Sequence, residues 1–257
     1  MLGAIAGDII GSIYEFSPIK TKDFPLFGEG TTFTDDTVCT VAVADCILED
    51  GAFAAFLKDY GRRYPDRGYG GWFAHWLTSD DSAPYGSFGN GSAMRVSPVA
   101  WLARDEADVL DLARRSSAAT HDHAHGIAGA QATALAMWRA REGMPPEAIR
   151  CEIAARFDYD LDRSVDVIRP TYGFDETCDG TVPEALICAL EADDYEDAVR
   201  NAVSLGGDAD TLACITGGLA EALYGLPEDV AAQARGHLDP ELQRQVARFY
   251  AAATKKG

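Results

Sequence analysis

The sequence predicts an all-α protein, a compact orthogonal bundle of many helices in a single domain over residues 1–257. Apolar residues recur at three- and four-residue spacing in segments rich in Ala and Leu. Strand patterns are weak, because alternating runs of Val, Ile, Thr or Tyr are few and no Asn-Gly turn joins two of them. No linker or low-complexity stretch divides the chain. The predicted helices are 2–15, 37–59, 104–117, 124–141, 146–157, 182–192, 195–204, 211–223 and 227–254.

The bulk composition restricts the class of function. A net charge of −19, from 22 basic and 41 acidic residues, argues against general binding to nucleic acid or to an acidic membrane surface. There is no apolar run of about 18 residues, so no membrane span is expected. The apolar N-terminus lacks a basic region and is interrupted by Asp8 and Glu15, which argues against a signal peptide. The 6 cysteines are scattered without a C-x-x-C pair, which indicates reduced, buried thiols in a cytoplasmic protein.

The first predicted helix carries Gly3, Gly7 and Gly11 on one face. Each glycine inside a helix costs about 1 kcal/mol relative to alanine, and the simplest compensation is close approach of another backbone. Asp8 and Glu15 are about two helical turns apart, so both could lie on the same face. The plainer interpretation makes Asp8 a buried packing residue and Glu15 a surface charge at the helix end.

The helices predicted to begin near residues 37 and 211 share an unusual start. Thr34-Asp35-Asp36-Thr37 precedes one long apolar run, and Asp208-Ala209-Asp210-Thr211 precedes the other. One Asp at such a position is ordinary capping, because a carboxylate accepts from the free N–H groups of the first turn. Four Asp and three Thr exceed what capping requires. If the two starts meet, they form a cluster of hard oxygen ligands suited to Mg²⁺ or Mn²⁺.

Three predicted loops, 16–33, 60–100 and 158–181, are long enough to indicate functional segments. Within the second, GSFGNGSAMR (86–95) is rich in glycine and small polar residues and runs into an apolar segment. Its N–H groups could hold a phosphate, although it lacks the P-loop pattern and an ordinary tight loop explains it equally well.

Three histidines alternate in Thr120-His121-Asp122-His123-Ala124-His125, just before a predicted helix. Zinc binding is the first hypothesis that they suggest. The cysteines lack zinc-site spacing, however, and alternate side chains at a helix start diverge. We therefore favour a substrate-contacting His121 over a zinc site.

Six segments together resemble the ADP-ribosylglycohydrolase family, in the family's order and over roughly residues 2–225. They are GAIAGDIIGSIYEF, FTDDTVCTVAVA, YPDRGYGGWF, GSFGNGSAMRVSPVAW, SAATHDHAHGIAGAQATA and SLGGDADTLACITGGLAEALYG. The resemblance implies an all-helical domain with two Mg²⁺ (or Mn²⁺) ions. It also implies cleavage of the bond between ribose C1″ of ADP-ribose and a protein side chain, arginine or serine.

The resemblance assigns roles residue by residue. The implied metal ligands are Thr34, Asp35, Asp36, Asp208, Asp210 and Thr211. The implied catalytic carboxylates are Glu15, which matches an acidic residue on a mobile flap, Asp35 and Asp36. The implied substrate-binding residues are Gly68, Tyr69, Gly70, Ser87, Phe88, Gly89, Asn90, Gly91 and His121. One departure is Ala209, where some members have Thr; it lies between ligands and should matter little.

The expected partners are an ADP-ribosylated protein and the product ADP-ribose, with the chain acting as a monomer. Two alternatives use the same site on other substrates, ADP-ribose on a nucleic-acid base or O-acetyl-ADP-ribose. A third is a non-catalytic, crystallin-like protein, which should have lost metal ligands that are all present here. Without the resemblance, a metal-dependent phosphohydrolase would fit the acidic segments equally well.

Overall fold

The computed structural model of the chain describes residues 1–254. Regular structure within them is helical, apart from one isolated antiparallel bridge between Gly89 and Thr177, so the all-α prediction is confirmed. The helices are α1 (Leu2–Gly11), α2 (Asp35–Leu48), α3 (Phe53–Arg63), α4 (Gly71–Thr78), α5 (Gly91–Met94), α6 (Ser97–Leu102), α7 (Glu106–Ala118), α8 (Ala124–Arg141), α9 (Pro146–Phe157), α10 (Val165–Ile168), α11 (Cys178–Leu190), α12 (Tyr195–Leu205), α13 (Ala209–Tyr224), α14 (Glu228–His237) and α15 (Pro240–Ala253).

The first helix is shorter than its apolar pattern predicts. It ends at Gly11, and a turn follows in which the Tyr14 amide donates to the Gly11 carbonyl at 2.8 Å. The Ser12 hydroxyl also donates to the Ile9 carbonyl at 2.8 Å, so it satisfies an acceptor at the helix end. The prediction that Glu15 lies on this helix is therefore wrong, and Glu15 lies in the segment that leaves it.

Two predicted long helices are each divided. Segment 37–59 becomes α2 and α3, separated near Asp50, whose φ of 50° lies in the left-handed region that ends helices. Segment 227–254 becomes α14 and α15, because the Asp239 carboxylate caps α15 by accepting from the Glu241 and Leu242 amides, with Pro240 in the first turn. Apolar spacing alone does not detect a break that keeps both pieces amphipathic.

The predicted loops contain short helices. Segment 60–100 includes α4, α5 and part of α6, and segment 158–181 includes α10 and the first turn of α11. The α11 start was missed because its first residues are polar; the Thr177 hydroxyl caps it by accepting from the Gly180 amide at 3.0 Å. These additions leave shorter loops around the site described below.

All six cysteines are free thiols, and all but the exposed Cys151 are buried, as the sequence predicts for most of them. No helix within residues 1–254 is long and apolar enough to span a membrane.

The centre of the molecule is the crossing of α1 and α13. A β-carbon on Gly7 would lie 1.9 Å from the Ala213 carbonyl oxygen, and one on Gly3 would lie 2.5 Å from the Gly217 carbonyl oxygen. A β-carbon on Gly11 would lie 2.5 Å from the Ala209 carbonyl oxygen, at the start of α13. The predicted close approach of another backbone is therefore confirmed, and the approaching backbone belongs to α13.

Replacing Gly7 with alanine should separate α1 from α13. A real β-carbon cannot lie 1.9 Å from an oxygen, and the contact is to rigid backbone, so the helices must move. Overpacking of a core costs about 1–3 kcal/mol and can cost more where backbone must shift. We expect the free energy of unfolding of Gly7→Ala to fall by roughly 3 kcal/mol, measured by urea denaturation.

Gly236→Ala is the matched control, since Gly236 is also helical and a β-carbon there meets nothing within 4 Å. It should change stability by less than about 1 kcal/mol, in the stabilising direction of helix propensity. Equal stabilities for the two variants would contradict the close-packing argument.

Candidate functional site

The starts of α2 and α13 meet in the interior, as the acidic segments predict. Thr34 is the N-cap of α2, and its hydroxyl accepts from the Asp36 amide at 3.3 Å. Asp208 is the N-cap of α13 but makes no capping hydrogen bond through its side chain. The Thr211 hydroxyl donates to Asp36 Oδ2 across the gap at 3.3 Å. Each start therefore directs carboxylates at the other while its own N–H groups favour negative charge.

Asp8 on α1 organises the α2 start. Its fully buried carboxylate accepts from the Thr34 amide at 3.0 Å and the Thr34 hydroxyl at 2.6 Å. It also accepts from the Thr37 amide at 3.1 Å and from the Thr37 hydroxyl. The signal for this role was an acid inside an apolar helix, which a packing residue explained equally well. The four hydrogen bonds make Asp8 the residue that fixes α2 relative to α1.

Two groups of carboxylates are close enough to share a cation. Oxygens of Asp8, Asp36 and Asp210 all lie within 4.8 Å of one another, and so do oxygens of Glu15, Asp208 and Asp210. Asp210 belongs to both groups, so they form one continuous cluster. The end of α1 at Gly11 does not separate Glu15 from the acids, because the turn brings it back to the α13 start.

The donor set fits a hard divalent cation. Asp36 Oδ1 and Asp210 Oδ1 are buried and have no hydrogen-bond partner among residues 1–254. A buried acceptor left unpaired costs about 1–3 kcal/mol, and more when it is charged. Oxygen-only ligands of this kind suit Mg²⁺ or Mn²⁺. The two orphaned oxygens are thus explained if they coordinate metal.

Burial, with the like charges of neighbouring carboxylates second, governs the protonation of the cluster. Burial, and then the neighbouring carboxylates, raise the pKa of Asp35, Asp36 and Asp210 well above the usual range. Burial raises the pKa of Asp8 to about 6, opposed by the hydrogen bonds that its carboxylate accepts. Burial and the nearby acids raise the pKa of Glu15 to about 7. A cation among these groups would favour their ionised forms.

The cluster forms one wall of a cavity of about 660 Å³, the main cavity. The predicted site residues that line it are Glu15, Thr34, Asp35, Asp36, Gly68, Gly70, Ser87, Phe88, Gly89, Asn90, Gly91, His121, Asp208, Asp210 and Thr211. Tyr69 is the one predicted site residue that does not line the cavity. Its ring stacks on Phe73 with centroids 5.5 Å apart, and its hydroxyl is buried without a partner within the described residues.

The glycine-rich loop is joined directly to the acidic cluster. Asn90 Nδ2 donates to Asp208 Oδ2 at 2.7 Å and to the Thr181 hydroxyl at 3.0 Å. The Asn90 amide donates to the Glu176 carbonyl at 2.7 Å, and the Cys178 amide donates to the Phe88 carbonyl at 3.0 Å. These bonds hold the loop against the α11 start, so that its glycines face the main cavity.

His121 alone of the three alternate histidines enters the cavity wall. It is buried, whereas His123 and His125 are exposed. His123 caps α8, and His125 contacts the Asp179 carboxylate. No histidine belongs to a metal-suited group in the part of the chain that the structure describes. His121 therefore diverges from the other two histidines, whereas the rings of His123 and His125 pack edge to face with centroids 4.9 Å apart, so the expected divergence is confirmed only for His121.

Sequence reasoning missed an aromatic rim and one buried cation. Phe16, Trp72 and Phe174 line the main cavity with 82%, 78% and 57% of their surface exposed. Together with Phe88 they surround the polar interior with apolar surface. Arg95 also lines the cavity and is fully buried. It lies in the quoted GSFGNGSAMR segment, but nothing in the pattern distinguished it from a surface arginine.

The fold and this site define an all-helical protein with a cation-suited carboxylate cluster beside a glycine-rich loop. The family model described as ADP-ribosylglycohydrolase matches residues 1–257. The chain therefore belongs to the ADP-ribosylglycohydrolase family, and the resemblance stated from its motifs is confirmed.

Relatives are similar over different lengths. The chain is 33% identical to ADP-ribosylhydrolase ARH3 of Xenopus tropicalis over 57% of this chain, which spans about half (51%) of that relative. It is 25% identical to ADP-ribosylhydrolase ARH3 of Danio rerio over 88% of this chain and 82% of that one. It is also 25% identical to ADP-ribosylhydrolase ARH3 of Homo sapiens, over 95% of this chain and 90% of that one.

A solved structure shares the fold. It is described as an ADP-ribosylglycohydrolase-related protein complex and superposes with a TM-score of 0.75 at 26% sequence identity. The match covers 98% of this chain and 95% of that one. The helical bundle is therefore the family's fold, as the motifs predict.

The carboxylate cluster should make the metal-free protein less stable as pH rises. The pKa of Asp8 is about 6 and that of Glu15 about 7 in the folded chain, against roughly 4 for unfolded Asp and Glu. The folded state thus binds more protons than the unfolded state in this window, so stability is lost as pH rises through it. In a chelator, we expect the free energy of unfolding to fall by about 2 kcal/mol or more between roughly pH 5 and 7.5.

The measurement is urea denaturation across this pH range. Asp210→Asn should flatten the fall, because it removes the acid shared by both groups. Asp111→Asn, a change at an exposed residue of α7, should leave the slope unaltered. A wild-type protein that gains stability from pH 5 to 7.5 in chelator would contradict the argument.

Proposed function

We propose that the chain hydrolyses the bond between ribose C1″ of ADP-ribose and the side chain of a modified protein. The main support for this proposal is that a cation-suited carboxylate cluster and a glycine-rich loop line the same cavity. The chain also matches the ADP-ribosylglycohydrolase family model over residues 1–257. The names of the ARH3 relatives support hydrolysis of ADP-ribosylated substrates. In the reaction the C1″–acceptor bond breaks, a C1″–O bond to water forms, and the water's proton reaches the acceptor.

We propose two Mg²⁺ or Mn²⁺ ions as cofactors. The proposed ligands are Thr34, Asp35, Asp36, Asp208, Asp210 and Thr211. The orphaned buried oxygens of Asp36 and Asp210 support this set. When bound, such ions acidify water, orient ribose hydroxyls and offset the negative charge of a diphosphate.

Glu15 is the proposed proton-transfer residue, with Asp35 and Asp36 as the other catalytic carboxylates. A pKa of about 7 lets the Glu15 carboxyl both hold and release a proton near neutral pH, as general acid–base work requires. Glu15 is only partly buried, on the segment that leaves α1 toward the cavity mouth. It can therefore take a proton from the attacking water or give one to the departing acceptor. A pair of carboxylates flanking the bond is also the arrangement used by other glycosidases.

The glycine-rich loop is the proposed diphosphate site. Ser87, Gly89, Asn90 and Gly91 leave backbone surface uncovered, and His121 lies beside the two glycines. Phe88 is half exposed in the cavity and offers a face for the nucleotide.

The loop that contains Gly68, Tyr69 and Gly70 is proposed to contribute to the site beside the acidic cluster. A β-carbon on Gly68 would lie 3.7 Å from Asp35 Oδ1, so this loop adjoins the acidic cluster. Tyr69 would act there by supporting Phe73 in the lining, since its ring stacks on Phe73 and Tyr69 does not itself line the cavity.

The proposed acceptor is an arginine or a serine side chain of a protein, and the chain is proposed to act as a monomer. An ADP-ribosylated nucleic-acid base and O-acetyl-ADP-ribose are the alternative substrates of the same site. A crystallin-like, non-catalytic role is disfavoured, because every expected ligand side chain lies in the cavity. Release of ADP-ribose from a panel of these modified acceptors distinguishes the substrates.

Removing a proposed ligand should abolish both cation binding and hydrolysis. Asp36→Asn and Asp210→Asn each replace a buried oxygen anion with a neutral amide that coordinates Mg²⁺ and Mn²⁺ more weakly. We expect Mn²⁺ affinity, measured by calorimetry, to fall at least tenfold. ADP-ribose release from arginine- and serine-linked substrates should fall by about 10²-fold or more. Asp111→Asn serves again as the exposed control; unchanged Mn²⁺ binding and unchanged release in the two ligand variants would refute the proposed centre.

Glu15→Gln tests the proton-transfer role. An amide neither gives nor takes the proton, and general acid–base catalysis contributes about 10²–10⁴-fold to rate. We expect kcat to fall by that range in steady-state assays of ADP-ribose release, with KM changed much less. The control is Glu29→Gln, an exposed position farther along the same segment. A Glu15→Gln enzyme with kcat within about threefold of wild type would assign proton transfer elsewhere.

A further inference from the structure

Arg95 is a buried cation without a carboxylate partner. It follows α5, its side chain is fully buried, and no salt bridge to it occurs within residues 1–254. Its Nη2 donates to the Ser116 carbonyl at 2.7 Å and to the Thr120 hydroxyl at 2.9 Å. Burying an unpaired charge is costly, and carbonyl and hydroxyl acceptors offset part of that cost. The proposed function gives Arg95 no task, although it lines the main cavity.

The hydrogen bond from Arg95 to Thr120 restricts the direction of the hydrogen bond between Thr120 and His121. A guanidinium only donates hydrogen bonds, so the Thr120 oxygen must accept from it. The single hydroxyl hydrogen of Thr120 is then free to point elsewhere, and Thr120 Oγ1 lies 2.7 Å from His121 Nδ1. If Thr120 donates that hydrogen, Nδ1 accepts it, and the ring proton of a neutral imidazole must be on Nε2.

The other ring nitrogen of His121 faces the proposed diphosphate loop. A β-carbon on Gly91 would lie 3.2 Å from His121 Nε2, and one on Gly89 would lie 3.6 Å from it. The ring is also held from the side by Tyr85, with centroids 6.0 Å apart. A hydrogen on Nε2 therefore points into the space that the two glycines leave open.

We propose that Arg95 and Thr120 are positioning residues that hold His121 as the neutral Nε2–H tautomer. His121 is thereby a fixed hydrogen-bond donor toward a phosphate or ribose oxygen in the main cavity. The ligand in this statement rests on the proposed function, whereas the tautomer does not. Burial, and then the charge of Arg95, lower the pKa of His121 well below the usual range, which supports a neutral ring.

In this arrangement Arg95 carries the positive charge, whereas His121 makes the hydrogen bond to the ligand. The guanidinium of Arg95 is fully buried and lines the cavity, so it supplies positive electrostatic potential there. His121 supplies directed hydrogen bonding at the surface of the cavity without a second buried charge.

The Tyr85 hydroxyl is a competing acceptor for the Thr120 hydrogen. If Tyr85 takes it, Nδ1 of His121 must donate to Thr120 and Nε2 becomes an acceptor, which phosphate would repel.

The direct test is the histidine tautomer in the full chain without ligand. Long-range ¹H–¹⁵N spectra of the ¹⁵N-labelled protein at pH 7 distinguish protonated from unprotonated ring nitrogens, and His121→Gln identifies the signals of His121 among the 5 histidines. We expect Nε2 protonated and Nδ1 unprotonated. An Nδ1–H tautomer or an imidazolium of His121 in the wild type would overturn the proposal.

The variants test the relay. Thr120→Val removes the hydroxyl at nearly constant shape, and Arg95→Met removes the donor that orients it; both should give a mixture of tautomers. Thr120→Val should also weaken binding of free ADP-ribose roughly tenfold by calorimetry, the effect of about one hydrogen bond. Thr120→Ser should restore the wild-type tautomer and affinity to within about twofold. If folded Thr120→Val keeps the wild-type tautomer and affinity, Thr120 is not a positioning residue. If folded Arg95→Met keeps the wild-type tautomer, Arg95 is not a positioning residue.

The matched control is Thr133→Val, since Thr133 is a buried threonine on α8 whose hydroxyl has no hydrogen-bond partner among the described residues. It should bind ADP-ribose as the wild type does. If the wild type fails to bind ADP-ribose, the proposed function fails, but the tautomer measured in the free protein still decides the relay.

Discussion

The close crossing of α1 and α13 is the constraint on which the rest of the structure depends. The Ala213 carbonyl lies where a side chain of Gly7 would be, so the two backbones are in direct contact. Asp8 follows Gly7 on α1, and Asp210 lies one turn before Ala213 on α13. Any separation of the helices would therefore move the two acids apart, and a cluster with oxygens within 4.8 Å would be lost. The glycines thus determine the distance between the buried carboxylates as well as the packing of the two helices.

Hydrogen bonds offset part of the cost of burying the carboxylates that this crossing brings together. Bringing several carboxylates together out of water is unfavourable, and their raised pKa values are the measure of that cost. Asp8 is partly compensated by four hydrogen bonds from Thr34 and Thr37, which also fix the α2 start. Asp36 and Asp210 each keep one oxygen with no such compensation within the described chain. Asp8 therefore orders the α2 start and also adjoins Asp36 and Asp210, whose unpaired oxygens suit a cation.

The sequence predicted the helices and the acidic starts because both are local patterns. Apolar spacing located most helices, and two acidic segments at helix starts indicated one cluster although they are more than 170 residues apart. What it missed depends on three-dimensional context. The turn after Gly11 changes the position of Glu15 without changing the pattern, and the left-handed Asp50 divides a helix whose two halves are both amphipathic. Arg95 reads as an ordinary arginine until the fold buries it.

The main cavity also combines an acidic region at the carboxylate cluster with the positive charge of Arg95, which neither motif implies alone. Asp35 of the acidic cluster and Arg95 both line this cavity, as does the buried Cys39 on α2. Asn90 joins the regions, with its side chain donating to Asp208 and its loop adjoining His121. The diphosphate of the proposed substrate would be repelled by ionised carboxylates and attracted by Arg95, which favours the His121 side of Asn90 for it. The ribose of that proposed substrate would then lie toward the acidic cluster and Glu15. In a protein of net charge −19, the buried guanidinium of Arg95 thus supplies local positive potential on one side of the cavity.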